Sequence, residues 1–243
     1  MSTLKEKFEA WASQNVNELP PTGILYGTVP LLAPTGGSFG VSGDCRMRPQ
    51  GEIADAVINA SDPALSSVPV QFVFDIVEEI KKGYTSTSPG AAALEAAKAI
   101  FHKLYSPDSV RIERTLIVLD ILYKNAGIIF VNAFAIHVHL FRNFIERKET
   151  TQANVELAMR LVAEWQTVEV DKTYPLLKGS SDPLIKIHLL FDNMVKANYP
   201  FTEKHLLGIP QDRLNKLKKR GFSFGISDPT VSFSTYKDGF HTA

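Results

Sequence analysis

An all-α fold is predicted by three observations. Apolar residues recur at helical spacing from Glu52 almost to residue 198, with short connections and no alternating segment that has a partner strand. Residues 114–127 are apolar on more than one face and are stopped by Gly127, and a helix of that kind must be wrapped by other helices. Proline and glycine fall between these segments rather than inside them. Seven or eight stacked helices follow. No fixed repeat is visible, which argues against ankyrin- or tetratricopeptide-type arrays.

Taken in order, residues 3–18 place Leu4, Phe8, Trp11 and Ala12 on one face of a short amphipathic helix that Pro20-Pro21 stops. From there to about Gln50, breakers such as Gly23, Pro30, Gly36, Gly37, Gly40 and Gly43 leave no periodic face. Residues 1–50 are therefore a short helix plus a Pro/Gly-rich linker, with the helical domain over 51–200. Its first helix, 52–60, is closed by Ser61-Asp62-Pro63. The second, from about Val70 to Lys82, ends at Gly83, expected to cap in the left-handed conformation. The third opens on Ser88-Pro89, an N-cap followed by proline at the first helical position, and turns Leu94, Ala97, Phe101 and Leu104 inward. The fourth runs from Asp108-Ser109 to Gly127, with Asn125 expected to cap its carbonyl end.

Residues 128–131 are β-branched but lack a partner strand, and read as a helical turn leading into a helix over 132–147. Val155, Ala158, Leu161, Val162 and Trp165 mark the next helix. Asp182-Pro183 opens the last strong one, carrying Leu184, Ile187, Leu190, Phe191, Met194 and Val195 and ended by Tyr199-Pro200. Residues 201–243 form a C-terminal extension, expected to be partly flexible. It adds one more turn or helix and a basic run at Lys216, Lys218, Lys219 and Arg220.

The totals narrow the function classes. Of 243 residues, 44% are hydrophobic and 21% charged, with formal net charge zero. A dominant nucleic-acid role normally shows as a strongly basic domain, so no nucleic-acid partner is expected. The single cysteine, Cys45, excludes an intramolecular disulfide or a multi-cysteine metal site and fits a reducing compartment. No apolar run approaches the roughly 18 residues needed to span a membrane. The N-terminus also lacks the apolar core of a signal peptide. A cytoplasmic location is expected.

Four motifs in consistent order carry a resemblance. They are Ala60-Ser61-Asp62-Pro63 and Ala96-Ala97-Lys98-Ala99-Ile100-x-x-Lys103-Leu104, then Leu116-x-x-Leu119-Asp120-x-Leu122-x-Lys124-Asn125-x-Gly127-x-x-Phe130, then Val162-Ala163-Glu164-Trp165. In order and spacing, over about residues 50–200, they resemble the VHS family of endosomal adaptors. The resemblance implies a right-handed superhelix of about eight helices and a non-enzymatic adaptor that binds ubiquitin or sorting-signal peptides in vesicular trafficking. It also implies association with endosomes or membranes. Full adaptors of this family carry a following GAT domain and clathrin-binding segments; none is visible after residue 200, which implies a divergent or partial chain. Two relatives of the superhelix supply alternatives: a phosphoinositide-binding membrane recruiter of the ENTH/ANTH kind, and a reader of the phosphorylated tail of RNA polymerase II, which has a similar Leu-Asp-x-x-x-Lys-Asn segment. The alanine-rich third helix favours VHS.

The same resemblance assigns candidate sites. Ubiquitin-binding members use an exposed tryptophan on the second helix with an apolar residue one turn on. Aligning Asp75-Ile76 puts Val70 and Phe74 there, the competing reading being that both are core beside Phe72 and Ile76. Members that read acidic di-leucine signals hold the peptide between the sixth and eighth helices, where this chain supplies Arg142, Lys186 and Lys196. For lipid headgroups, Lys216, Lys218, Lys219 and Arg220 are the better candidates, because Glu78, Glu79 and Glu113 dilute the other cations at Lys81, Lys82, Lys98, Lys103, Arg111 and Arg114. Leu4, Phe8 and Trp11 have two readings, membrane insertion or docking on the domain or a partner; Glu6 and Glu9 beside them favour docking.

No catalytic residue, metal or cofactor is expected. His137 and His139 would point to different sides of one helix, one packed and one exposed. Gly37, Gly40 and Gly43 have no preceding strand and no following lysine, so they do not make a nucleotide loop.

Overall fold

The computed structural model of the chain describes residues 2–14, 49–83, 90–172, 182–206, 209, 211, 212, 214 and 215. All regular structure among them is helical: ten helices and no strand. They form two units, divided between Leu122 and Tyr123.

The first unit holds α1 (Leu4–Gln14), α2 (Glu52–Ala60), α3 (Val70–Gly83), α4 (Ala91–Leu104) and most of α5 (Ser109–Asn125). α2 packs on α1, α3 and α4, and α3 packs in turn on α1 and α4. Ala54, Ala60, Ala93, Ala96, Ala97 and Ala99 are all fully buried, so small side chains let these helices approach closely. α1 docks on its own unit. Leu4 and Phe8 are buried, and the Phe8 ring lies 5.0 Å from Phe72 and 5.8 Å from Trp11. Lys7 Nζ pairs with Asp75 Oδ1 at 2.9 Å, and the Leu4 N–H donates to Glu52 Oε1 at 2.6 Å.

Carboxylates also organise the start of α2. The Ala54 N–H donates to Glu95 Oε1, reaching over from α4, at 2.8 Å. A negative charge is favoured there because the first N–H groups of a helix have no partner within it. Gly51 makes room: at φ +130°, a Cβ on it would sit 2.1 Å from the same carboxylate oxygen. At the other end of α2 the Ser61 hydroxyl, fully buried, donates to the carbonyls of Val57 and Ile58 at 3.0 and 3.1 Å. Asp62 then accepts from the Ala64 N–H at 2.8 Å and from Arg111 at 3.3 Å, while Arg114 donates to its carbonyl. The Ala-Ser-Asp-Pro junction is thus fastened to α5 by two arginines.

Two sequence expectations change here. Gly83 is the last residue of α3 and is absent from the positive-φ glycines, so it is no left-handed cap. A Cβ on it would lie 3.0 Å from that of Ala92, so its role is to let α4 approach. Ser88-Pro89 lies outside the described residues; the residue before α4 is Gly90, at φ +86° with no side-chain cap bond. The expectation for α5 holds over its C-terminal two thirds, where no residue from Thr115 to Asn125 is exposed. Val110, in its first turn, is 43% exposed.

The second unit holds the end of α5, then α6 (Ile128–Ile136), α7 (Val138–Glu146), α8 (Gln152–Glu164), α9 (Pro183–Lys196) and α10 (Glu203–Leu206). α9 packs on α6, α7 and α8, and α10 packs on α8. Residues 128–131 are helical as expected, but they open a nine-residue helix instead of preceding one. Gly127, at φ +76°, turns the chain, and the Ile128 N–H donates to the Asp171 carbonyl at 2.8 Å. The single helix expected over 132–147 is broken at His137, where α6 and α7 bend by 61°. The His137 N–H closes a tight turn onto the Phe134 carbonyl at 3.0 Å, ending α6.

The unit is filled by rings. Trp165 stacks on Tyr123 at 4.5 Å and 16°, and meets Phe134 and Phe141 at 5.5 and 5.6 Å. Phe141 continues to Phe144 at 5.9 Å. Each such pair contributes about 0.5–1.5 kcal/mol beyond area burial. Among the described residues no single helix is long and apolar enough to cross a membrane; α6 and α7 together have that composition, and α6 buries seven of its residues, Ile128 to Val131 and Ala133 to Ala135.

Candidate functional site

α3 sorts its apolar residues into two sets. Phe72, Val73, Ile76, Val77 and Ile80 are buried, whereas Val70 is 50% and Phe74 38% exposed. Val70 and Phe74 lie one turn apart and project from the same side. The competing expectation, that both are core, fails for a physical reason: Phe8 of α1 covers Phe72 and leaves Phe74 outside. The rim of this face is charged but locally neutral. Lys81 pairs with Glu78 at 3.7 Å and Lys82 with Glu79 at 2.8 Å, and the Glu79 carboxylate raises the Lys82 ammonium above its usual range. Gln71 is exposed next to Val70. The arrangement is an apolar projection beside a polar rim whose charges are paired.

The cations predicted for peptide binding are not brought to one point. Arg142, on α7, is committed to Glu146 at 2.8 Å, and the Tyr199 hydroxyl donates to the same oxygen at 2.6 Å. Burial first, and then the Glu146 carboxylate, raise the Tyr199 hydroxyl above the usual phenol range. Lys186 and Lys196 are exposed near opposite ends of α9. Ten positions separate them, about 15 Å along the axis, too far to share one carboxylate.

On the same helix stand two residues that the sequence reading missed. Ile185 is 54% and Leu189 49% exposed, one turn apart, and Lys196 continues the same side of α9. A signal was present. The buried set Ile187, Leu190, Phe191 and Met194 fixes the inward face, and Ile185 and Leu189 fall opposite it.

The remaining candidates resolve individually. Lys216, Lys218, Lys219, Arg220 and Cys45 lie outside the described residues. In the alternative cationic set, Arg111 and Arg114 are held by Asp62, and Lys81 and Lys82 by their neighbouring glutamates. His137 is half-buried and His139 exposed, their ring centroids 6.4 Å apart across the helix break. No group of three or more metal-ligating side chains occurs among the described residues.

Comparison with family models, with curated proteins and with solved structures finds no match. The faces of α3 and α9 therefore carry the functional argument on their own geometry.

Proposed function

We propose that this chain is a non-enzymatic adaptor module of the VHS kind, with its helices wound as a right-handed superhelix, and that it binds ubiquitin through the outer face of α3. The observation that carries the reading is the exposure of Val70 and Phe74 one turn apart while every other apolar side chain of α3 is buried. Aromatic residues dominate contact energies at interfaces, so Phe74 is the anchor and Val70 its aliphatic neighbour. A second reading, an acidic sorting-signal peptide on α9, is favoured by Ile185 and Leu189 standing exposed on the helix that also exposes Lys186 and Lys196. Two observations weigh against an ENTH-like membrane recruiter: the burial of Leu4 and Phe8, and the ion pairs of Lys81, Lys82 and Arg111.

Titration of isotope-labelled ubiquitin with the full chain tests the proposal. Shifts should map to ubiquitin's apolar patch, and Phe74→Ala should weaken binding by about tenfold or more. That substitution should cost no more than about 2 kcal/mol of stability, less than truncation of a fully buried phenylalanine, because more than a third of the residue is exposed. An absence of shifts with wild-type chain sinks the ubiquitin reading. Binding of a di-leucine peptide, of anionic liposomes or of a doubly phosphorylated polymerase-tail peptide in its place would move the assignment accordingly.

A further inference from the structure

His205 is 8% exposed at the third position of α10, yet its imidazole performs a backbone task. The Thr202 N–H, which stands before the helix and has no partner within it, donates to His205 Nδ1 at 3.0 Å. The Thr202 hydroxyl lies 3.1 Å from the same nitrogen. A ring nitrogen that accepts a hydrogen bond carries no proton, so the ring is neutral with its hydrogen on Nε2. The arrangement is one half of a capping box, with imidazole in the place usually held by a carboxylate, while the His205 N–H donates to the Thr202 carbonyl at 2.9 Å.

We propose that residues 202–206 form a proton-released latch on α8, held shut by neutral His205 and opened when Nδ1 takes up a proton. A proton on Nδ1 would face the Thr202 N–H donor, removing the bond and placing a cation at the start of a helical turn, where positive charge is unfavourable. The surroundings act in the same sense. Burial is the largest influence and lowers the basicity of the ring, with Arg160 of α8 and Lys204 adding to it, while Glu156 of α8 opposes. The latch is anchored on both sides by apolar contacts. The Phe201 ring lies 5.0 Å from Phe191 of α9 and 6.1 Å from His205, and Ile209 is buried.

The sign follows from linkage. Closed, the segment holds the ring neutral; open, it frees the ring to charge at its ordinary value near 6.5. Opening therefore takes up a proton, and the closed state is fully favoured above that value and loses ground as pH falls below it.

The test uses the full chain. Imidazole nitrogen spectra should show Nδ1 of His205 unprotonated at about pH 7.5. Amide protection of residues 202–206, corrected for intrinsic exchange, should fall by up to about tenfold per pH unit below about 6.5. In His205→Asn the carboxamide oxygen accepts the same bond without titrating, so protection should stay flat across that range. The proposal is overturned by a proton on Nδ1 at about pH 7.5. It is equally overturned by pH-independent protection in the wild type, or by the asparagine variant following the wild-type course. Should that variant not fold, the two wild-type measurements decide.

Discussion

The two units bring helices together by opposite means. In the first, Ala54 and Ala60 on α2 and Ala93, Ala96, Ala97 and Ala99 on α4 are fully buried, so backbones close the distance themselves. In the second, Tyr123, Phe130, Phe134, Phe141, Phe144, Trp165 and Phe191 are almost wholly buried, and their rings fill the space between the helices. Protein interiors reach nearly the same packing density by either route. The difference teaches where each unit is vulnerable: the first to enlargement, the second to deletion.

Trp165→Ala makes the strongest attack on that contrast. It removes the ring that touches Tyr123, Phe134 and Phe141 and should cost about 3–5 kcal/mol, read as a shift of the urea midpoint. A cost under about 1 kcal/mol would mean the ring cluster is not what holds the second unit. Ala97→Leu is the matching attack on the first unit. Its side chain is wholly buried, and the added methylenes should cost about 1–3 kcal/mol in the same measurement. Tolerance of leucine there would show the alanine packing to be loose.

The finest probe separates ring from hydroxyl. Tyr123 stacks on Trp165, but its buried hydroxyl has no hydrogen-bond partner among the described residues, and burial raises its proton affinity above the usual phenol range. Tyr123→Phe keeps the stack and removes the orphan oxygen, so it should be neutral or stabilising by up to about 1 kcal/mol. A loss of stability in chemical denaturation would show that the hydroxyl finds a partner.

Helix positions were legible wherever period and punctuation agreed, as for α2, α3, α5, α8 and α9. The break at His137 was not, because neither proline nor glycine marks it and apolar residues at helical spacing, Phe134, Val138, Phe141 and Phe144, run straight through it. Gly83 misled for the opposite reason: glycine after a helical run signals a cap by rule, while its actual role depends on Ala92 of another helix. The candidate site was half legible. The run Val70-Gln71-Phe72-Val73-Phe74 offers an aromatic residue to either side of the helix, and only the docking of Phe8 decides which one is covered. The outward pair Ile185 and Leu189 needed no tertiary information, only attention to the apolar residues that fall outside the inward face.

The carboxylates that start α1 and α2 have a consequence for the order of events during synthesis. The acceptor for the Leu4 N–H comes 48 residues later in the chain, and the acceptor for the Ala54 N–H comes 41 residues later. A ribosome adding roughly 5–20 residues per second delivers each helix start seconds before the group that completes it. Thr3 and Glu6 cap the start of α1 locally, with the Glu6 N–H donating to Thr3 Oγ1 at 3.2 Å and the Thr3 N–H to Glu6 Oε2 at 2.9 Å, so α1 can begin before Glu52 emerges. The bonds that complete the docked starts of α1 and α2 still wait on Glu52 and Glu95, and the earliest segments of the first unit are finished by its later ones.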